Sequence, residues 1–540
     1  MYRPQQSVTS NSKYRYYIHR PLWFKLRIIF SWLGIVLAGI GLSQFYRLYP
    51  LPSLPFAFAY FYGFFYLSLS YWITLRYPRF PVLEHERLVA KFTAGQWRPS
   101  VDIFLPVCGE PLAVLRRTWE AVAALDYIPY TPYVLDDKGN PEVEKLAREF
   151  GFTYLSRRNR GYLKKAGNLR YAFARTNGEF IVIFDADFAP TPEFLTNTLP
   201  YLQDSRRGIV QTPQCFAYEA DYNRRRPLSF AAAQVQEDFY RINQVARGTL
   251  RGSICVGSNA VYRRAALRPF GGSARVQHSE DVHTGFNLVT IGYEVFYLPL
   301  CLAFGDCPDE LGAWIKQQMR WCQGSLSLLT SGKFWRAQIG LSTKLTYFSG
   351  FLYYNSGFFK LLAPFFIYVV FYFEGASTDL ESMRLFWPLI VSGWLVFPFF
   401  RTRAFRPSFL YAYWLLSYIH AYTIFSKIIL GRENKWVATN SGGIGAREKR
   451  SVLGLITFNL GVQLILAGLC QYAGVANFFD LTNNWLLVWV VIEVAKNAWL
   501  LLYTYTRVEP FRANFTIPNL LGRSARYLTA ILFIVLFIFS

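Results

Sequence analysis

Long apolar runs alternate with one extended polar block along the 540-residue chain. Runs at roughly 28–45, 51–75, 350–373, 385–400, 452–473 and 484–504 read as helices that cross a membrane, with a shorter one near 525–540. The polar middle, about 99–310, switches to short strand-like pieces separated by helical periodicity. "VDIFLPV" (101–107), "YTPYVLDD" (130–137), "FTYLS" (152–156) and "FIVIFDAD" (180–187) are the expected strands, and 111–125 and 141–150 are helices between them. Such a βαβ series predicts an α/β domain with a mostly parallel sheet and Rossmann-like winding, inserted between transmembrane α-helices. Stretches at about 311–345 and 405–430 mix Trp and Tyr with Lys and Arg, the pattern of amphipathic helices lying in a membrane surface. The predicted units are therefore 1–98 (cytosolic N-terminus and two spans), 99–310, 311–349 (interface helices), 350–404 (two spans), 405–451 (interface helix and a loop) and 452–540 (C-terminal spans).

Composition sharpens this. Hydrophobic residues make up 53% and charged residues 17%, too little charge for a soluble enzyme of this length. A net charge of +23 would suit a nucleic-acid partner. Its placement points instead to membrane orientation. Arg3, Lys13, Arg15, Arg20, Lys25 and Arg27 precede the first span, and only Arg47 lies in the turn after it. Arg401, Arg403 and Arg406 follow the fourth span, whereas the loop at about 474–483 holds Asp480 and no Lys or Arg. By the positive-inside rule the N-terminus and the polar middle face the cytosol of a multi-pass protein of the plasma (inner) membrane, with no nucleic acid bound. No cleavable signal peptide is expected, because the first apolar run follows a long basic head and is long enough to span. The cysteines (Cys108, Cys215, Cys255, Cys301, Cys307, Cys322, Cys470) are odd in number and lack a CxxC, so reduced thiols are expected.

Four polar clusters punctuate the middle. "IVIFDADFAP" (181–190) ends an apolar strand on Asp185 and Asp187, at the edge where open α/β sheets bind ligands. Pro190 and Pro192 are expected to stop the strand there. Two carboxylates so close repel unless a cation holds them. Asp136 and Asp137 close the second strand in "VLDDKGN", Glu280 and Asp281 stand in "QHSEDVHTGF", and Gln317, Arg320 and Trp321 form "QQMRW". Taken singly, each pair of carboxylates reads equally as a solvated turn, and Trp321 as an interface anchor.

Their order and spacing carry more. D, DxD, ED and QxxRW in sequence, flanked by spans, resemble the processive family 2 glycosyltransferases, most closely bacterial cellulose synthase catalytic subunits. "KKAGNLRYAF" (164–173) and "VGSNAVYRRAAL" (256–267) extend the resemblance, which covers about 99–445. It implies a GT-A catalytic domain and an inverting, UDP-sugar-dependent transferase that extends a β-glycan and passes it through its own spans. UDP-glucose and a cellulose-like β-1,4-glucan are the first choice; β-1,3-glucan, glucomannan, chitin and hyaluronan stay open. Asp185 and Asp187 would hold Mg²⁺ or Mn²⁺ on the donor diphosphate. Asp136, Asp137, Lys165 and Asp185 would bind the donor. Asp281 would be the base, with Glu280 beside the acceptor and His283 either assisting or merely packed. Gln317, Arg320 and Trp321 would hold the acceptor sugar, Trp321 by stacking.

"ENKWVATNSGG" (433–443) resembles the gating loop of these enzymes, with Trp436 and Thr439 at its donor-binding places, although a plain connector has the same composition. Cys108 and Gln214 depart from the family pattern, which puts nucleotide stacking at Cys108 in doubt. No cyclic di-GMP-binding PilZ domain is expected after the last apolar run. The implied partners are the UDP-sugar, the growing glycan, the bilayer and accessory export subunits. Two rivals stand: a non-processive transferase on a lipid-linked acceptor, and a transporter with a nucleotide-sensing domain, for which Lys360, Glu493 and Lys496 would be the intramembrane ionisable residues.

Overall fold

A computed structural model describes residues 13, 14, 16, 21–216, 226–362, 364, 365, 368, 369, 385, 387–391, 407–431, 445–473 and 485–509. Two long apolar helices come first, α1 (Pro21–Leu48) and α2 (Pro50–Thr74), followed by α3 (Val82–Ala94). The α/β domain then builds β1 (Val101–Val107), α4 (Leu112–Ala123), β2 (Tyr130–Asp136), α5 (Pro141–Glu149), β3 (Thr153–Leu155), α6 (Lys164–Phe173), β4 (Phe180–Ile183) and β5 (Phe188–Pro190). It continues through β6 (Arg207–Gln211), β7 (Cys215–Phe216), α7 (Pro227–Asp238), β8 (Ala260–Arg263), α8 (Glu280–Thr290), β9 (Glu294–Tyr297) and β10 (Ala303–Gly305).

Seven strands form one sheet in the order β3-β2-β1-β4-β8-β6-β9. It is mixed: β8 runs against both β4 and β6, and every other pairing is parallel. The apolar runs explain its heart. β4 is buried along its whole length and β1 at all but one position, as strands covered on both faces must be. Each such fully buried Ile, Leu or Phe contributes about 1.5–3 kcal/mol. β4 stops at Ile183, short of the expected 187, because the Asp185 turn lifts the chain out of the sheet. The prolines do not end pairing altogether: Phe188–Pro190 pairs with β10 in a second, three-stranded sheet, β5-β10-β7, where Pro190 sits on an edge.

The expectation of reduced thiols fails at one pair. Cys215 of β7 is disulfide-bonded to Cys301, just before β10, their Cα atoms 5.7 Å apart. Sequence spacing could not reveal this, because 86 residues separate them and only the small sheet brings them together.

The helical half begins with α9 (Leu311–Thr330) and continues with α10 (Leu341–Leu362), α11 (Pro407–Thr423), α12 (Ala446–Tyr472) and α13 (Trp485–Tyr503). Among the described residues, three helices are long and apolar enough to cross a membrane: Leu22–Leu48, Pro50–Thr74 and Ala446–Tyr472. They match the runs at 28–45, 51–75 and 452–473. The expected spans at 350–373 and 385–400 are described only in part, and 525–540 lies outside the described residues. The helix at 484–504 forms as α13, with Glu493 and Lys496 paired to each other on it. α11 is packed within the protein: Phe409, Tyr411, Ala412, Leu415, Leu416, Tyr418 and Ile419 are all buried, so its aromatic content serves packing against neighbouring helices.

Candidate active site

The DxD turn is held from several sides. The Asp185 N–H donates to Ser258 Oγ at 2.9 Å. From α4, the Thr118 hydroxyl donates to the Ala186 carbonyl at 2.8 Å, and Arg117 donates to the Asp187 carbonyl at 3.2 Å while pairing with Asp306 at 2.8 Å. Gly305 of β10 packs so closely that a Cβ there would lie 2.8 Å from the Asp187 carbonyl oxygen. Burial, then the neighbouring Asp185 charge, push the Asp187 carboxyl up to about 7. A divalent cation would reverse that shift, and two adjacent carboxylates are the hard oxygen donors it takes, so the pair fits Mg²⁺ or Mn²⁺.

Lys165 reaches this turn because of the helix it starts. It hydrogen-bonds Asp185, donates to the Gly257 carbonyl at 3.0 Å and stands 4.0 Å from Glu280. Burial would lower its pKa, but Asp185 and Glu280 outweigh that and raise it above the ordinary lysine value. The rest of "KAGN" fixes the helix. A Cβ on Gly167 would fall 2.1 Å from the Tyr162 carbonyl oxygen and 2.3 Å from Arg157 Nη1. Asn168 donates to the Leu135 carbonyl at 2.8 Å, tying α6 to the end of β2.

Asp136 and Asp137 prove to be heavily engaged by the protein itself. Asp136 accepts from the Lys138 and Asn140 amides at 2.8 and 2.6 Å and from Tyr154 Oη at 2.8 Å. Asp137 pairs with the buried Arg157 at 2.7 Å and accepts from Gly161 N at 3.2 Å. Arg157 also donates to the Tyr162 and Lys164 carbonyls at 2.5 and 3.1 Å. It thus links Asp137 to the loop that delivers Lys165. Sequence reasoning missed Arg157, since an arginine within "SRRNR" reads as a surface charge. Gln211, also missed, clasps the Val256–Ser258 loop with its buried amide, accepting from Val256 N at 2.9 Å and donating to the Ser258 carbonyl at 2.8 Å.

Glu280 and Asp281 open α8 immediately after Ser279, a non-glycine residue at φ 50°. Leu163, Lys164 and Asn259 share that left-handed conformation, so backbone strain gathers around the Lys165–Asp185–Asp281 cluster. Asp281 packs on Gly257, where a Cβ would come within 2.9 Å of its carboxylate. Burial first, then Glu280, raise the Asp281 pKa well above the carboxylate range, with Lys165 opposing. Gln317, Arg320 and Trp321 fall at steps of three and four on α9, and so on one face. Arg320 senses the charges of Glu280 and Asp185, while burial lowers its pKa. Among the described residues, the Gln317 Oε1 atom is buried without a hydrogen-bond partner.

His283 is buried, bonded to Ser327 Oγ at 2.9 Å. Cys108 is half-buried, its thiol pushed up to about 11 by burial and Glu110, and so stays protonated. Gln214 accepts from Tyr240 Oη at 2.9 Å. Trp436 and Thr439 lie outside the described residues.

Residues 102–271 match the profile of Glycosyl transferase family 2. Two relatives are similar over the same half of the chain. The cellulose synthase catalytic subunit [UDP-forming] of Xanthomonas axonopodis pv. citri is 31% identical over 263 residues, 48% of this chain and 36% of that protein. Cellulose synthase 1 of Komagataeibacter xylinus is 33% identical over 236 residues, 43% of this chain and 15% of that protein. The match thus spans about a third of the length of the first relative, and less of the second. A solved mannosyltransferase from Pyrobaculum calidifontis is 18% identical, covers 70% of this chain and 100% of its own, and overlays with a TM-score of 0.49.

Proposed function

We propose, from the premise that this chain carries a family 2 glycosyltransferase domain like that of cellulose synthases, that it is a membrane-embedded, processive, inverting polysaccharide synthase. It transfers glucose from UDP-glucose to a β-1,4-glucan and passes the product across the membrane, with the catalytic domain in the cytosol. The observation that carries this reading is the convergence on Lys165: one ammonium touches the DxD pair through Asp185 and faces Glu280 of the ED pair, with Arg320 of QxxRW within electrostatic reach. Motifs that stand at 185, 280 and 320 along the chain meet in one charged cluster around Lys165.

The chemistry follows from the residues. Asp185 and Asp187 would hold a divalent cation, which offsets charge on the departing diphosphate when bound. Lys165 and Arg320 add fixed positive charge on the same side. Asp281 takes the proton of the acceptor hydroxyl as its oxygen bonds to the anomeric carbon and UDP leaves with the bonding pair. Its raised pKa suits a base, since a more basic carboxylate accepts that proton more readily. Trp321 offers a flat apolar face to the acceptor ring, and Gln317 an unused buried carbonyl for a sugar hydroxyl. Asp136 and Asp137, already bonded within the protein, shape the uridine side of the pocket through the backbone they hold. The alternative of one transfer to a lipid-linked acceptor leaves Gln317 and Trp321 without a task.

Purified protein in bilayers, given a panel of radiolabelled UDP-sugars and Mg²⁺, tests this. High-mass product from UDP-glucose, cut by a β-1,4-glucanase, is expected. Asp281→Asn should lose at least about 10²-fold in rate while still binding UDP. A mutant keeping more than about a tenth of the rate would refute the base, and a product from another sugar would overturn the substrate.

A further inference from the structure

The stripe of α9 that presents Gln317, Arg320 and Trp321 continues by steps of three and four to Gly324 and Ser327. There it meets α8. A Cβ added to Gly324 would lie 1.8 Å from Ser279 Oγ and 2.5 Å from its Cβ, yet 3.5 Å from its backbone nitrogen. One turn along, the Ser327 hydroxyl donates to the Gly324 carbonyl at 2.6 Å and accepts from His283 Nε2 at 2.9 Å. Ser279 and His283 are themselves one turn apart, joined by an N–H···O bond of 3.2 Å, and Glu280 and Asp281 lie between them.

We infer that Gly324 and Ser327, seated on Ser279 and His283, are positioning residues: a two-point dock that sets the separation of the Trp321 platform from Asp281, and thereby decides whether the sugar passes to the glycan or to water. The inference rests on the transferase reading and adds to it. Either outcome balances: the anomeric carbon bonds to an acceptor oxygen or a water oxygen, UDP leaves with the electron pair, and one proton goes to Asp281. Only the first needs α9 at a fixed distance. Among the described residues, the hydrogen bonds of Lys165 and of the Asp185 amide go to Asp185, Gly257 and Ser258 rather than to Gly324 or Ser327, so the donor side is held apart from the dock.

The test compares Gly324→Ala with the double variant Gly324→Ala/Ser279→Gly in the full chain, reconstituted and given UDP-glucose. Ser279→Gly removes both interfering atoms, leaves an ordinary contact, and suits the left-handed backbone at that site. Gly324→Ala should lower polymer formation about 10²-fold, the scale of an ångström's misplacement, with UDP-glucose hydrolysis within about twofold of wild type. The double variant should restore polymer. Unchanged polymer in Gly324→Ala, equal loss of both reactions, or no restoration overturns the dock. Hydrogen exchange over 324–330, the end of α9 that sits on the dock, gives a readout without turnover: it should rise in Gly324→Ala and return in the double variant, and no rise also overturns the dock. A wild-type chain that releases no UDP from any UDP-sugar, with exchange responding as expected, sinks the transferase reading alone.

Discussion

His283 shows what a single buried side chain contributes and how it can be measured. Burial, then Lys333, hold its imidazole down from 6.5 to about 4. Between those values the unfolded chain binds a proton that the folded chain refuses. The stability from neutral His283 is therefore full above about 6.5 and lost as pH falls toward 4, at most on the order of 3 kcal/mol. Replacing it with Gln, which keeps a donor for Ser327, should flatten that part of the stability–pH curve. Denaturant titrations at pH 7.5 and 5 would show it, and an unchanged slope would place the acid sensitivity elsewhere. At this scale the sequence pointed to residues that the fold brings together, Asp185 and Glu280 at Lys165, better than to the bonds each of them makes. Asp185, Asp187, Glu280 and Asp281 were legible because paired carboxylates at strand and helix ends are conspicuous. That Asp136 is already saturated by three donors was not, because those donors come from the turn it makes and from Tyr154 on the next strand. Gly324 left no trace at all, since a glycine in a helix announces only a missing side chain, not the Ser279 that fills its place.

Among elements, α6 couples the donor side to the sheet. Its first turn is trapped between Arg157, the Tyr162 carbonyl and the end of β2, with Gly167 as the point of contact. Gly167→Ala should therefore push Arg157 off Asp137 and carry Lys165 away from Asp185. UDP affinity should fall about tenfold or more, as expected when a buried ion pair is broken. Calorimetry with UDP and Mg²⁺ checks this, and full affinity in the variant would mean that α6 can shift freely. β1 was readable to its exact bounds because "VDIFLPV" is buried on both faces. β5, β7 and β10 were not, since they are two or three residues long and lie outside the βαβ alternation that marked β3, and β8 was hidden because "AVYR" ends in the arginine of a basic run. Glycines in left-handed conformations, Gly431 and Gly445, flank the expected gating loop, and Gly445 sits against the Gly312 carbonyl at the start of α9.

For the whole molecule, the arrangement predicts a direction of travel. α9 packs against α10, α11 and α12, so on the proposed reading a glycan leaving Trp321 would enter the helical half. Sealed vesicles with the catalytic domain outward, fed UDP-glucose and then treated with a β-1,4-glucanase, should protect their product until opened. Digestion in intact vesicles would disprove translocation. The alternation of apolar and polar stretches made this division between sheet and helices legible. It did not reveal that α11 is enclosed, because tryptophans and tyrosines suit a protein interior and a lipid headgroup region equally well.

The Cys215–Cys301 bond makes a closed ring of the intervening chain. Asp281, Ser258 and Gly257 beneath Asp281 ride on that ring, whereas Asp185, Lys165 and Trp321 hang outside it. A single backbone cut within the ring leaves two chains still joined through the disulfide, so a nicked protein runs as one band until a thiol reagent splits it in two.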